Sequence, residues 1–405
     1  MDSIKSLFNK ENIKRKLKIL VSSPGFKTFI SIALAVASGL LLGLLVLLIA
    51  NPKNAFPAFA GILAGSFGEP RGGWLGFGDL LYYATPLIFT GLSVGFAYKT
   101  GLFNIGASGQ FMVAQLVAVI VGLYAEGLGV FQWPIAILAG IAAGAIWGFF
   151  PGIFKALFNV NEVITSIMFN YIGMYLRNML IYSSNVLYNP LRAETHKLPD
   201  SAFNPKAGLD FIFPGSRVDI GIIFAIIVAI AIYIVLKKTI FGYELIAVGH
   251  NREASRYAGI NAKRKIVISM VIAGALAGLG GALQILAPGA HGLGNRIKPV
   301  EVIAPEGFNG IPVALLGLLH PIGIVFSALF ITYIQRGGNY IQSRAMIEII
   351  DIIIALIIYF SAFALLFQQI MKRRKDRRIQ RKLEANMALD SIDANLNESE
   401  DLGDE

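Results

Sequence analysis

Three groups of polar residues interrupt long apolar runs, and chemistry would have to happen there. Lys99, Asn104, Ser108 and Gln110 form the first, around the run GLFNIGASGQF. Asn161, Glu162, Thr165, Ser166 and Asn170 form the second, and Glu301, Glu306 and Asn309, flanked by Pro305 and Pro312, the third. Polar groups at membrane depth are costly, so they read as functional by default. A side-chain amide offers donors and an acceptor without the desolvation cost of a full charge. Asn104, Gln110, Asn170 and Asn309, with the Ser108 hydroxyl, therefore suit weak contact with an uncharged, polyhydroxylated solute. Glu162 fits a second role equally well, as an acid in a first helical turn capped by Asn161. Glu301 equally fits a place at the membrane interface.

Catalysis finds no comparable support. The chain has no G-x-x-x-x-G-K-[ST], so it has no P-loop of its own for ATP hydrolysis. No nucleophile elbow occurs with His and Asp in a fitting context, nor any His-rich zinc motif. Cysteine is absent, which excludes disulfides and thiol chemistry. His291 and His320 stand alone beside Gly or Pro, an arrangement that argues against a metal site. The expectation is a chain with no catalytic residue and no cofactor of its own.

The elements that must position these groups are membrane helices. The 405 residues are 55% hydrophobic and 15% charged, against about 25% charged in soluble domains. Ten runs approach the roughly 20 apolar residues a span needs: 28–50, 79–98, 102–124, 133–157, 162–184, 218–236, 264–286, 300–318, 320–336 and 346–370. The first run is too long for a signal-peptide core and no small-residue cleavage site follows it, so it is expected to be retained. Most of the 35 Lys and Arg residues fall on one side if the N-terminus is inside: residues 5–27, Lys99, Lys155, residues 237–265 and residues 372–382. An even number of spans then leaves both termini in the cytoplasm. The net charge of +10 is thus topological and gives no reason to invoke nucleic acid.

This layout divides the chain into a basic cytoplasmic segment 1–27, a membrane domain 28–371 and a basic-then-acidic tail 372–405 expected to be disordered. Residues 51–78 and 185–217 become external loops that could receive a partner. Spans one to five start inside and spans six to ten outside. Each half carries a Gly/Asn-rich break, at residues 101–106 and 307–312. That pattern predicts an all-α polytopic protein of about ten transmembrane helices in two inverted five-helix repeats with interrupted helices.

The loop 242–265 is the main cytoplasmic feature. Asn251 can cap a short helix, Glu253 suits its first turn, and Gly259 can supply the left-handed stop. Ala254, Tyr257 and Ala258 share one small apolar face, while Arg252 and Arg256 occupy another. Such a helix either docks in a groove on a partner or rests on the bilayer surface.

These residues carry a resemblance. Ala247, Gly249, Asn251, Ala254, Ala258, Gly259 and Ile260 fit A-x-G-x-N-x-x-A-x-x-x-A-G-I, which resembles the coupling-helix loop of permease subunits in nucleoside- and simple-sugar-type ABC importers. Glu253, Ala254, Ser255 and Gly259 resemble the EAA-x-x-x-G core of other importers, although no Ile-x-Leu-Pro follows. The run from Gly101 is similar to G-L-x-N-I-G-x-x-G-Q of nucleoside permeases, with Ser108 where an acid is often found. The run from Asn161 is similar to N-E-V-I-x-T-I-M-x-N-Y-I, with Thr165 and Ser166 in swapped order. The resemblance implies a bacterial plasma-membrane permease for nucleosides, with a simple sugar as the neighbouring possibility. It also implies a second homologous permease, a cytoplasmic ATPase with paired nucleotide-binding domains that holds ATP and magnesium, and an external substrate-binding lipoprotein. An ion-coupled secondary transporter is the rival. It would want ionisable groups along the path, whereas most spans here lack them in their central thirds.

Overall fold

The computed structural model describes residues 24–67, 73–289, 293–340, 349, 352–357 and 359–360. Most of the segment 1–27, His291, most of the expected tenth span and the whole tail 372–405 lie outside the described residues. The chain forms two compact units, one of residues 1–43 with 355–405 and one of residues 44–354. Apart from the first part of α1, everything that follows concerns the second.

Helices dominate. The apolar runs become α1 (Pro24–Ala50), α3 (Trp74–Lys99), α4 (Ala107–Tyr124), α5 (Gln132–Phe158), α6 (Glu162–Tyr182), α8 (Gly221–Lys238) and α11 (Ala262–Ile285). A shorter helix α2 (Ala55–Ala64) lies between α1 and α3. The loop after α6 holds a two-residue antiparallel ladder, β1 (Tyr188–Asn189) with β2 (Glu194–Thr195), and the single turn α7 (Leu209–Ile212). The loop after α8 contains α9 (Ile240–His250) and α10 (Arg252–Tyr257). Two more helices, α12 (Pro305–Leu316) and α13 (Pro321–Tyr340), close the described bundle. Among the described residues five helices are long and apolar enough to cross a membrane, and six if the bent pair α12–α13 counts as one span. This is a polytopic all-α membrane protein.

Helix α6 fails that composition test for an informative reason. It buries Asn170, Arg177 and Asn178, and the last two both donate to the Val300 carbonyl, at 3.3 and 2.9 Å. These groups answer to protein partners rather than to lipid, which is how a spanning helix can keep polar residues.

Two expectations shift in the second half. Residues 307–312 are not a break: they lie inside α12, which Pro305 starts at a position where a proline's fixed φ and missing N–H cost nothing. The interruptions fall instead over residues 286–289 and 293–304 and at residues 317–320, where Leu318 and Leu319 both adopt left-handed φ, 53° and 56°. Across that turn α12 and α13 bend by 119°. The second correction concerns the spans 300–318 and 320–336. The twelve residues of α12 extend about 18 Å, short of the roughly 30 Å hydrocarbon core, so α12–α13 is a broken span or a re-entrant loop.

The core is built around α11 and its long seam with α5. Gly144 and Gly148 on α5 meet Gly274 and Gly278 on α11 so closely that a Cβ on Gly144 would come within 2.7 Å of the Gly278 Cα. Without water to drive association in lipid, close backbone approach through small residues is what holds two such helices together.

Candidate functional site

The first polar cluster is held by the break between α3 and α4. Helix α3 ends at Lys99 and is followed by its C-cap Thr100, whose hydroxyl pairs with that of Ser269 on α11 at 2.7 Å, and Gly101 turns the chain with φ 74°. Asn104 then enters the core. Its amide donates to Ser93 Oγ and to Gln110 Oε1, both at 2.9 Å, and accepts from Gln110 Nε2 at 3.1 Å. Ser93 passes the chain on to the Ala273 carbonyl at 2.6 Å. Asn170 on α6 reaches the same break from the other side, accepting from the Gly109 N–H at 2.8 Å and donating to the Ile105 carbonyl at 3.0 Å. The backbone groups freed by the break thus find side-chain partners, as non-helical backbone in a membrane protein must. Asn104, Gln110 and Asn170 are buried with their amides in use.

Ser108 lies beside them. It is buried, its hydroxyl has no hydrogen-bond partner, and it packs directly on Gly307 of α12. The Ser166 hydroxyl is likewise buried and unpartnered. Asn309 is different, being half-buried on α12 with no side-chain hydrogen bond among the described residues. The structure therefore brings Asn104, Gln110, Asn170 and Ser108 together and leaves Asn309 on a separate face.

Glu162 follows Asn161, which caps α6 by accepting from the Val163 N–H at 2.8 Å, and it pairs with Lys155 at 2.9 Å. Glu301 is exposed.

Sequence reasoning missed a second polar line. Gln115 on α4 donates to Gln284 on α11 at 2.8 Å, and Gln284 donates to Glu306 on α12 at 2.9 Å. Beyond them Asn295 donates to the Tyr82 hydroxyl at 2.7 Å and to the Gln284 carbonyl at 2.6 Å. Glu306 and Asn309 are i and i+3 on α12, so they share its surface. Gln115, Gln284, Glu306 and Asn309 are all half-buried. The available signal was one glutamine midway along α4 and one near the end of α11, too little to join them without the fold.

The loop 242–265 folds as two helices. Asn251 separates them and caps α10, its side chain accepting from the Ala254 N–H at 3.0 Å. Gly259 has φ 81°, and the Ile260 N–H closes back on the Ser255 carbonyl at 3.0 Å, a left-handed C-terminal stop. Glu253 sits in the first turn and pairs with Arg256 at 3.0 Å. Ala254, Tyr257 and Ala258 are exposed, Tyr257 by 94%.

Helix α9 carries that surface to the break. A Cβ on Gly249 would overlap the Lys99 carbonyl and come within 3.0 Å of the Gly101 nitrogen. Val248 buries beside it against Ala97, Leu102 and Ile266. Lys265 pairs with Glu244 and lies over the Phe241 ring at 4.5 Å, tying α9 to the start of α11.

Comparison with known proteins agrees with this architecture. Residues 76–362 match the family described as branched-chain amino acid transport system / permease component. The guanosine ABC transporter permease protein NupP of Bacillus subtilis is 38% identical over 346 residues, covering 84% of this chain and 95% of NupP. The nucleoside ABC transporter permease protein NupB of Lactococcus lactis is 35% identical over 349 residues, covering 84% and 93%. The glucose ABC transporter permease protein TsgB13 of Haloferax volcanii is 30% identical over 374 residues, covering 87% and 92%. No solved structure matches. A polytopic helical bundle that matches this family model across most of its membrane part belongs to the branched-chain amino acid transport system / permease component family, a transport subunit and not an enzyme.

Proposed function

We propose that this chain is one of two permeases in an ATP-driven importer for nucleosides, set in a bacterial plasma membrane with both termini in the cytoplasm. The observation that carries the coupling half of this reading is α10: a capped helix with a bare face of Ala254, Tyr257 and Ala258, seated through Gly249 on the break that starts α4. An ATPase with paired nucleotide-binding domains, holding ATP and magnesium, docks on that face. Gly249, Asn251, Glu253 and Gly259 shape the helix and its seat. An external lipoprotein delivers the solute.

The solute path follows the half-buried line Gln115, Gln284, Glu306 and Asn309, which a second homologous permease would face. Asn104, Ser108, Gln110 and Asn170 shape the path by holding the broken chain behind it. The interruptions before α4 and before α12 stand in equivalent places of the two halves and favour two inverted repeats, with about ten spans if α12 and α13 are counted separately.

Nucleosides are favoured because the names of NupP and NupB give guanosine and nucleoside transport. TsgB13, named for glucose, supports a simple sugar as the second reading. Uptake of labelled guanosine into vesicles carrying the full complex, with unlabelled nucleosides or glucose as competitors, separates the two. Competition by glucose alone would replace the first reading with the second.

A further inference from the structure

A cavity of about 580 Å³ opens beside the seat of α9, between the ends of α3 and α8 and the turn that joins α12 to α13. That volume falls within the range of small-molecule sites. Lys99, Lys237, His250 and His320 line it, and no acidic side chain does. Among the described residues neither lysine forms an ion pair, although Lys155 and Lys265 both do. His320 is steadied by the Tyr233 ring, whose centroid lies 5.3 Å away. His320 also immediately precedes the first turn of the 20-residue helix α13, the end of a helix that favours negative charge. Tyr98 and Phe103 add ring surface to the wall.

Cations at helix ends ordinarily spread apart and reach separately for water or lipid. Here they converge on one concavity of molecular size. We propose that this cavity binds a phosphate-bearing anion, through Lys99 and Lys237 with His320 alongside. Lysine serves a phosphate as a point charge and forms strong charge-assisted hydrogen bonds with it. The ligand is either a soluble phosphate ester or the head group of an anionic lipid. Bound there, it would touch Gly101 and Gly249, the contact between the coupling loop and the break. The site goes beyond the transport reading and does not depend on it, because binding is measured on this chain alone.

The test uses the full chain in nanodiscs. In one arm, discs of phosphatidylcholine are titrated with labelled adenosine monophosphate, with adenosine as the uncharged control. In the other, discs mixing phosphatidylcholine and phosphatidylglycerol are prepared without soluble ligand, and the lipid retained on the protein is identified by native mass spectrometry. The double variant Lys99→Gln/Lys237→Gln is compared with Lys238→Gln, a neighbouring lysine outside the lining. Saturable binding of the nucleotide, weakened at least tenfold in the double variant and unchanged in Lys238→Gln, assigns a soluble ester. Selective retention of phosphatidylglycerol, lost in the same variant, assigns a lipid head group. Should the double variant fold poorly, Lys237→Gln alone, at an exposed helix end, gives the same comparison. Binding in neither arm, or binding indifferent to both lysine changes, overturns the proposal.

Discussion

Asn104 and Asn309 look alike in the sequence, and the structure gives them different surroundings. Replacing Asn104 by Leu would strand the Gln110 amide and leave the Ser93 hydroxyl without its donor in the core. Unsatisfied buried groups of this kind cost roughly 1–3 kcal/mol each, so Asn104→Leu should lower the melting temperature of the detergent-purified chain. Asn309→Leu removes no hydrogen bond and should leave that temperature unchanged while uptake by the assembled transporter falls. Equal thermal stability of both variants would show that the Asn104 cluster is not a structural pin. The amides themselves were legible, because each stands out in an apolar run. Which of them face inward was not, since that depends on helices far apart in the chain meeting at the break.

At the level of elements, the short helix α10 follows directly from local chemistry: a cap at Asn251, an acid in the first turn and a left-handed glycine. Its bare face gives a direct test. Ala254→Trp or Ala258→Trp should overfill a docking groove, so ATPase activity of the complex should stop responding to receptor and solute while the receptor still captures solute. A normal response in both variants would remove α10 from the coupling role. The break placed at residues 307–312 misled for a physical reason. Gly307 and Gly310 are there so that α12 can press on Ser108 and Thr90, not to reverse the chain, and a glycine in sequence does not say which use it serves. The seam of α5 and α11 repeats the point. Gly144→Leu should cost on the order of 1–3 kcal/mol or more through forced displacement of α11, read as a lower melting temperature and reduced yield of folded protein.

For the whole molecule, composition was enough to establish a polytopic helical membrane protein, and basic-residue placement gave a definite orientation to test. The number of spans was harder to read. Hydropathy sees α12 and α13 as two apolar runs, whereas the left-handed pair Leu318–Leu319 folds them back at 119°. Hydropathy also undervalues α6, whose polar groups are consumed by neighbours. The energy source separates the importer from its rival. Uptake by the complex in vesicles should require ATP on the side that bears α10 and should persist when an ionophore dissipates ion gradients. Gradient-driven uptake by this chain alone would end the importer reading.

The contact of Gly249 with the turn at Thr100 and Gly101 is main chain against main chain. A linkage made through long side chains has backlash: rotamers change and small displacements are lost within them. Two peptide backbones pressed together have no such play, so a shift of the α9–α10 loop by even a fraction of an ångström must move the turn that precedes Asn104. Side chains at this joint would make it softer, and a Gly249→Ala chain that still folded would be expected to turn over ATP while delivering less solute per cycle.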